Sequence, residues 1–394
     1  MGQSEWEFGT VLYKGDGNRM NRILSLFKYE TYKILHNKLT IIMIILMVVL
    51  TVLMGLPLGQ GSQTKEVHKA MESMDGKVID NALIEEMNTS INRSDPDWNP
   101  ETWKWTGLNY IVALVESTSE SVNTADQFYE LRTESQYKSM IEDSLTDEEM
   151  TWWKEKEKEI NKPFTYVSSY NARSLVDYMY NILLLSLLLS AVCLSTVFAG
   201  EHRRGMDQII LSTKHGRGET FAAKLMAGFV FVLIWTAILA VILTLTIYAS
   251  YGLSGLKAIV QMEVPTSSYP MTFLQFFEVQ LVILFTATVL FAAISMAFSE
   301  ILKNGIAVMG LMIGFYLATQ FISIPKSFRI ISQSVAMLPT ELINVWSLFD
   351  NRLVIVFGHY QTMFAVSPVI YLLLSVLLCI IAWQFYRRYQ VGGR

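Results

Sequence analysis

The chain has 394 residues, of which 52% are hydrophobic and 17% are charged. Ordinary soluble proteins contain about 25% charged residues, so this composition argues against a single soluble domain. The 12% aromatic content excludes a disordered chain, and the net charge of −4 gives no indication of a nucleic-acid partner. The two cysteines, Cys193 and Cys379, lie in apolar runs, so we predict neither a disulfide framework nor a cysteine zinc site.

Six stretches of the chain contain no Asp, Glu, Lys or Arg, and each includes a long run of apolar residues. A helix of about 20 apolar residues crosses a hydrocarbon core of roughly 30 Å. The first run is too long for a cleavable signal peptide, so we expect it to remain as an anchor. We therefore predict six transmembrane helices, at residues 39–58, 175–199, 222–250, 279–299, 304–324 and 363–386.

The distribution of Lys and Arg predicts how these spans are oriented. If the N-terminus is cytoplasmic, the segments on that side carry 15 Lys and Arg residues, against 4 in the two short loops on the other side. Both termini are therefore predicted to be cytoplasmic, with residues 387–394 as a short tail. Residues 59–174 would then form an extracellular domain of 116 residues with a net charge of −10.

The pattern of the predicted extracellular domain indicates helices. Charged residues are mixed with spaced apolar residues from Ala125 to Leu145, and Thr146 with Glu149 forms a capping box that opens a second helix. One interpretation is that the domain binds ligands on its surface, or covers the exit of a transport path, and favours cationic molecules. The other is a solvated domain whose tryptophans rest on the membrane interface. We favour the second interpretation. The tryptophans of this domain are Trp98, Trp103, Trp105, Trp152 and Trp153.

Motifs for several other functions are missing from the sequence. Span cores without charged residues argue against a carrier driven by protons or sodium ions. Ser254, in the string Gly252-Leu-Ser-Gly255, matches the short motif of rhomboid proteases, but no histidine lies in a span core to activate it. The chain has neither a Walker A phosphate loop nor a His-Glu-x-x-His zinc motif. We therefore predict no catalytic, cofactor-binding or metal-binding residues, and any ATP-driven work would need a partner.

The connection between the second and third spans, residues 200–221, carries the strongest functional signal. Its stretch Asp207 to Leu211 is predicted to form a short helix that exposes Ile209 and Leu211, and Gly216 breaks this helix. If a cytoplasmic partner pushes on a short helix held between two spans, the motion can pass only into those spans. The connection therefore has the organisation of a lever.

The sequence around this connection resembles the signature of ABC type-2 transporter permeases. The matching residues are Phe198, Glu201, Gly205, Leu211, Ser212, Arg217, Ala223 and Lys224. The resemblance implies a coupling helix that docks into a separate cytoplasmic ABC ATPase subunit, with ATP and magnesium bound by that partner. As a departure, Lys214 and His215 stand where family members commonly have a proline.

The same resemblance assigns a coupling role to residues on both sides of the short helix. These residues are Glu201, Arg203, Arg204, Gly205, Ile209, Leu211, Ser212, Arg217 and Lys224. The alternative is a basic loop that only fixes topology. Arg203, Arg204, Lys214 and Arg217 alone would give the positive charge that cytoplasmic loops carry. The spacing of the Glu, the Gly and the Leu-Ser pair is not needed for that charge, so we favour coupling.

Two further regions agree with this family. Residues 20–38 place apolar residues on one helical face, with Arg22, Lys28 and Lys33 available to lipid headgroups, which predicts a cytoplasmic interfacial helix. Residues 325–362 are too interrupted to span a membrane, and they resemble the extracellular re-entrant helices of these permeases. Residues 1–19 lack any pattern and are predicted to be a disordered extension.

The sequence therefore predicts an all-α integral membrane protein with six transmembrane helices, an N-terminal interfacial helix and a large helical extracellular domain. The resemblance implies the permease subunit of an ABC exporter in the bacterial plasma membrane, paired with a second copy or a homologous permease. Charge-free spans favour an amphipathic, lipid-like or peptide cargo, and no substrate-binding residues can be named. The alternative function is a membrane receptor whose acidic extracellular domain binds a ligand and signals to a cytoplasmic partner.

Overall fold

A computed structural model of the protein describes residues 19–57, 62–91, 100–116, 121–206, 218–322 and 324–388. These residues are mostly helical. The α-helices are α1 Arg19–Leu35, α2 Lys38–Gly55, α3 Ser62–Glu72, α4 Asn81–Ser90, α5 Thr106–Val115, α6 Ala125–Glu142, α7 Asp147–Glu157, α8 Tyr170–Leu189, α9 Ala199–Arg204, α10 Gly218–Tyr251, α11 Phe273–Leu302, α12 Gly305–Phe321, α13 Arg329–Ala336, α14 Pro339–Leu342 and α15 Met363–Arg388. Short 3₁₀ helices lie at Pro100–Trp105, Val260–Met262 and Val345–Phe349, a π-helical turn lies at Ser190–Leu194, and two strands lie at β1 Leu353–Val356 and β2 His359–Thr362.

Five helices of the described chain are long and apolar enough to cross a membrane. They are Lys38–Gly55, Tyr170–Arg204, Gly218–Tyr251, Phe273–Leu302 and Met363–Arg388. Helix α12 is equally apolar but has only 17 residues, about 25 Å at ~1.5 Å per residue. Five of the six predicted spans are thus matched by helices of sufficient length, and the predicted span at residues 304–324 stays a prediction.

The second of these long helices differs from its predicted span. The apolar run suggested residues 175–199, whereas the helix begins at Tyr170 and continues through a π-helical turn to Arg204. Helix α10 likewise starts at Gly218, before its apolar run. Hydrogen bonding continues a helix beyond the residues that contact lipid, so hydropathy alone does not mark its ends.

The described residues between α2 and α8 form a helical domain, which we call the inserted domain. The predicted capping box is confirmed, because Thr146 and Glu149 each bind the backbone N–H of the other at the start of α7. Three of the five tryptophans contradict the membrane-interface interpretation, and Trp152 is partly exposed. Trp103 is 7% exposed, and Trp105 and Trp153 are fully buried, so these rings form the core of the domain. Trp98 lies outside the described residues.

Buried polar contacts attach the inserted domain to the connection between α10 and α11. Arg132 is fully buried and pairs with Glu157 at 2.6 Å. The same guanidinium donates to the carbonyls of Pro265 at 2.5 Å and Ser267 at 3.1 Å. Arg132 can be buried because a carboxylate pairs with its charge and its N–H donors have acceptors. Its bonds to the two carbonyls hold the inserted domain in one position on the bundle.

A second set of contacts attaches the domain to the connection between α12 and α15. The Trp153 indole donates to the carbonyl of Asn351 at 2.6 Å. The carboxylate of Glu149, 1% exposed, pairs with Arg329 and accepts the backbone N–H of Leu353 at 2.9 Å. The inserted domain therefore contacts both connections at its end of the bundle, which we call the inserted-domain end.

The region predicted as re-entrant helices, residues 325–362, is only partly helical. It begins with α13 and α14, but residues 353–362 form an antiparallel hairpin in which Leu353 pairs with Thr362 and Val356 with His359. β-branched residues dominate the first strand, and Phe357 and Gly358 both have positive φ, as a two-residue hairpin turn requires. A β-hairpin therefore stands at residues 353–362, where we expected a helix.

The Gly252-Leu-Ser-Gly255 string has a structural explanation. The hydroxyl of Ser254 donates to Glu72 at 2.6 Å and lies 2.6 Å from the side-chain nitrogen of Asn171. Gly255 has a φ of +83°, and a Cβ at this position would lie 2.2 Å from the carbonyl oxygen of Ser168. The string thus fixes a close approach of two backbone segments, which explains both its glycine and its serine.

Candidate functional site

Helix α1 lies against the end of the bundle at which α9 finishes and α10 begins, which we call the α1 end. It packs mainly along α10. Ile34 is buried and Phe27 is partly buried against the core, whereas Met20 and Leu24, also predicted on the apolar face, are exposed. The apolar face of α1 is therefore used in part for contact with the protein itself, and its location at a membrane interface stays a prediction.

Two lysines and two glutamates form a closed cluster between these helices. Lys224 on α10 lies 2.6 Å from Glu201 on α9 and 3.2 Å from Glu30 on α1. Lys33 on α1 lies 2.7 Å from Glu201 and 2.9 Å from Glu30. We call these four residues the ion cluster. Each lysine contacts both carboxylates, so the formal charges of the cluster sum to zero.

Burial makes the balance of this cluster energetically important. Lys224 is fully buried, and its ammonium contacts three acceptors: the two carboxylates and the carbonyl of Val197 at 3.2 Å. Three acceptors satisfy all three N–H donors of a lysine. Although burial alone would lower the pKa of Lys33, Glu30 and Glu201 raise it, so this lysine remains charged. A buried charge is tolerated when its partners are complete, as they are here.

A second ion pair connects α1 to the first turn of α10. Arg22 donates to the carboxylate of Glu219 with distances of 2.9 and 3.1 Å. Glu219 is 6% exposed and stands at the N-terminus of α10, where the helix dipole favours a negative charge. Helix α1 is therefore bound to α10 at two points along its length.

Aromatic and hydroxyl contacts fix the backbone around Glu201. The ring of Phe198 lies 5.5 Å from that of Phe221 and 5.7 Å from that of Tyr386. The hydroxyl of Ser299 on α11 accepts the backbone N–H groups of Phe198 and Ala199, at 3.2 and 3.0 Å. These contacts connect the start of α9 to α10, α11 and α15, so Glu201 projects from a well-supported position.

The structure brings together two of the residues predicted for coupling, Glu201 and Lys224, in direct contact. Arg203 and Arg204 are exposed beside them, and Gly205 ends α9 with a φ of +68°, the left-handed conformation typical of a helix C-terminus. The other predicted coupling residues lie outside the described part of the chain. They are Ile209, Leu211, Ser212 and Arg217.

Sequence reasoning missed the contribution of α1 to this site. It assigned Arg22 and Lys33 to lipid headgroups, but the structure pairs them with Glu219 and Glu201. Lys28, assigned in the same way, is exposed. One signal was available: Glu30 is the only acidic residue of α1 and shares a helix face with Phe27 and Ile34. An acidic residue on an apolar face predicts a buried partner.

An open cavity of about 1130 Å³ adjoins the ion cluster. Its walls come from α1, the start of α2, the stretch from the π-helical turn to α9, and the start of α12. Lys33, Glu30 and Glu201 of the ion cluster line it, together with the basic residues Arg203, Arg204 and Lys303 and with apolar residues such as Ile306 and Met309. The cavity therefore combines a basic surface with an apolar one.

Comparison with known proteins identifies a family. The family model described as "ABC-2 family transporter protein" matches residues 24–387, which include the ion cluster, most of α1 and, but for the final Arg388, every described membrane-length helix. No curated protein and no solved structure matches the chain. The matched residues make up most of the sequence, and the chain therefore belongs to the ABC-2 transporter family.

Proposed function

We propose that this chain is the membrane permease subunit of an ATP-driven exporter, and that a separate cytoplasmic ATPase drives it through residues 207–217. Family membership supports a permease subunit. The observation that carries the coupling proposal is the ion cluster, because Glu201 and Lys224 flank the two ends of residues 207–217 and bind each other and α1. Family membership gives no support to the receptor alternative.

The ion cluster suggests how a force on residues 207–217 would reach the bundle. A displacement of this segment would pass to Glu201 on one side and Lys224 on the other. Because both residues bind α1, separating them would expose buried charges, so α1, α9 and the start of α10 would move as one unit. The unit would switch between discrete arrangements, as packed elements generally do, and its motion would pass into α8 and α10.

The cavity beside the cluster supports an amphipathic cargo. Its basic residues would receive an acidic or polar head, and the apolar residues of α12 would contact a hydrophobic part. Either a lipid-like molecule or a peptide has these two parts. We propose that the cargo enters at this end of the bundle and leaves at the inserted-domain end, which would place the inserted domain outside the cell and both termini in the cytoplasm.

We further propose that two permease chains, identical or homologous, form the complete transport path. Helix α12 supports this because several of its apolar side chains are uncovered within the chain, with Ile306 73% exposed and Phe315 61% exposed. ATP and magnesium would bind to the ATPase partners rather than to this chain.

The test uses the chain purified together with an ABC ATPase chosen from its genomic neighbourhood. ATP turnover and cargo movement in vesicles should both fall in Glu201→Gln, because the substitution leaves Lys224 and Lys33 with one carboxylate fewer. Lys28→Gln, a change on the exposed side of α1, serves as the control. Gly205→Leu should also lower ATP turnover and cargo movement, because a side chain at positive φ strains the backbone. Normal complex formation, turnover and transport in both variants would disprove coupling through this junction.

A further inference from the structure

The cavity beside the ion cluster has positive charge on its walls that the cluster does not account for. Among the described residues that line it, the acidic ones are Glu30 and Glu201, and both belong to the cluster, whose charges sum to zero. Arg203 and Arg204, in the last turn of α9, also line the cavity and are exposed. Neither makes an ion pair with an acidic side chain of the described chain. The cavity therefore has two guanidinium groups available to an anion.

The start of α12 favours an anion on the opposite wall. Lys303 and Asn304 line the cavity there. Asn304 is the N-cap of α12, and its side chain accepts the backbone N–H groups of Ile306 and Ala307 at 3.1 and 3.4 Å. The N-terminus of a helix carries a partial positive charge. An anionic group between α9 and α12 would therefore contact positive charge on both sides.

The rest of the cavity wall is apolar and aromatic. Leu39, at the start of α2, and Ile306 of α12 are exposed to the cavity, and α2 is long and apolar enough to cross a membrane. The apolar wall is therefore continuous with surface that hydrocarbon would cover. Tyr29 and Tyr32 of α1 also line the cavity and are exposed, as tyrosines at the headgroup level of a bilayer are. The cavity thus has the properties of a place where headgroups meet hydrocarbon.

These walls favour a phospholipid over a free anion, and an anionic phospholipid over a zwitterionic one. A phosphate ion would use the basic wall and leave the apolar wall uncovered, whereas a lipid uses both. A zwitterionic headgroup adds an ammonium, and the lysines of the ion cluster already bind the carboxylates of Glu30 and Glu201. The volume of about 1130 Å³ exceeds the roughly 300–1,000 Å³ of sites for drug-sized ligands, so a headgroup with part of its acyl chains fits.

We propose that this cavity binds the headgroup of an anionic membrane phospholipid. Arg203 and Arg204 donate to the phosphate oxygens, which the planar guanidinium group matches well, and the acyl chains pass Leu39 and Ile306 into the hydrocarbon. The bound lipid contacts α1, α9 and α12 at once and connects α12 to the ion cluster. The proposal rests on the proposed function in one respect, because the lipid takes the place that this function gives to the head of an amphipathic cargo.

The experiment measures lipid binding to the purified full chain in a nonionic detergent by native mass spectrometry, without ATP or an ATPase. The probes are dioctanoyl phosphatidylglycerol, dioctanoyl phosphatidylcholine with the same acyl chains, and glycerol 3-phosphate as a headgroup without acyl chains. The wild type should bind the anionic lipid roughly ten-fold more tightly than the zwitterionic one, and glycerol 3-phosphate should not displace it. Equal affinities for the two lipids, or displacement by glycerol 3-phosphate, would overturn the proposal.

Two double variants test whether the lipid binds in this cavity. Arg203→Gln with Arg204→Gln should lower the affinity for phosphatidylglycerol roughly ten-fold and leave that for phosphatidylcholine unchanged. Lys28→Gln with Arg388→Gln is the matched control, because it removes two exposed positive charges that do not line the cavity, and it should keep the wild-type affinities. Equal losses in the two double variants would indicate attraction to the general surface charge and overturn the site. If the arginine variant fails to fold, Ile306→Asn decides: it should weaken both lipids about ten-fold, and unchanged binding would overturn the proposal.

The outcome is separable from that of the export proposal. Absence of lipid binding would leave coupling and transport standing, because those are measured with the ATPase present and with Glu201→Gln. Normal turnover and transport in Glu201→Gln would disprove coupling and would not change the lipid affinities of the wild type.

Discussion

Replacing Lys224 by methionine would test whether the ion cluster holds the α1 end together. Methionine keeps a flexible apolar side chain but removes the ammonium, which is fully buried and contacts Glu201, Glu30 and the carbonyl of Val197. After the change, two buried carboxylates share Lys33 alone, and the cluster carries one uncompensated negative charge. Removing one partner of a buried ion pair destabilises a protein by about 3–5 kcal/mol, so we expect a loss of this size.

The assay compares thermal and denaturant unfolding of purified Lys224→Met with that of Lys28→Met. Both substitutions are chemically identical, but Lys28 is exposed on α1 and should change the unfolding free energy by no more than about 0.5 kcal/mol. The double variant Lys224→Met with Glu201→Gln restores a balanced charge and should recover part of the loss. If Lys224→Met unfolds with the same midpoint as Lys28→Met, the reasoning about the cluster is refuted.

Three predictions concern the inserted-domain end, and unfolding measurements check each of them. Burial alone would raise the pKa of Glu149, but hydrogen bonds from the arginine beside it and from two backbone amides lower the pKa. Its stabilisation is therefore present above the ordinary pKa of 4.5 and lost as pH falls through the lowered pKa, so Glu149→Gln should be destabilised at pH 7, and its difference from the wild type should shrink as the pH falls below 4.5 through the lowered pKa. Trp153→Phe should lose about 1–3 kcal/mol by leaving a buried carbonyl unpaired, whereas Trp152→Phe, at a partly exposed ring, should lose less. Gly255→Ala should be strongly destabilised by its positive φ and close contact, whereas Gly310→Ala, in a helix with open space around it, should be tolerated.

Local sequence signals predicted much of this fold. Charge-free apolar runs identified the five membrane-length helices, because lipid requires about 20 such residues in a row. The capping box of Thr146 and Glu149 was correct because both partners lie within one helical turn. The hairpin at 353–362 was missed because its strands have only four residues each, too few for a clear alternation.

The candidate site was predictable only where its residues belong to one motif. Glu201 and Lys224 are 23 positions apart and were found together through the family resemblance. Lys33 is 168 positions from Glu201, and no periodicity connects residues so far apart in the chain. Burial of the tryptophans was missed for the same reason, because aromatic residues suit a membrane interface and a domain core equally well, and only tertiary contacts decide between them.

The two ends of the bundle are each held by buried polar contacts. The helix Tyr170–Arg204 is one of the long helices that run between these ends, and the π-helical turn at Ser190–Leu194 within it is the expected point of flexure. π-helical turns often lie at functional sites, since they leave backbone carbonyls without regular partners. Here α11 supplies partners, with Ser295 donating to the Ser190 carbonyl at 2.8 Å and Ser299 to the Ser195 carbonyl at 2.6 Å. We expect amide hydrogen exchange in α8 to be fastest at this turn, and Ser295→Ala to accelerate it further there without affecting the inserted domain. Uniform exchange along α8 in both proteins would contradict a flexible turn and would favour motion of α8 as a rigid rod.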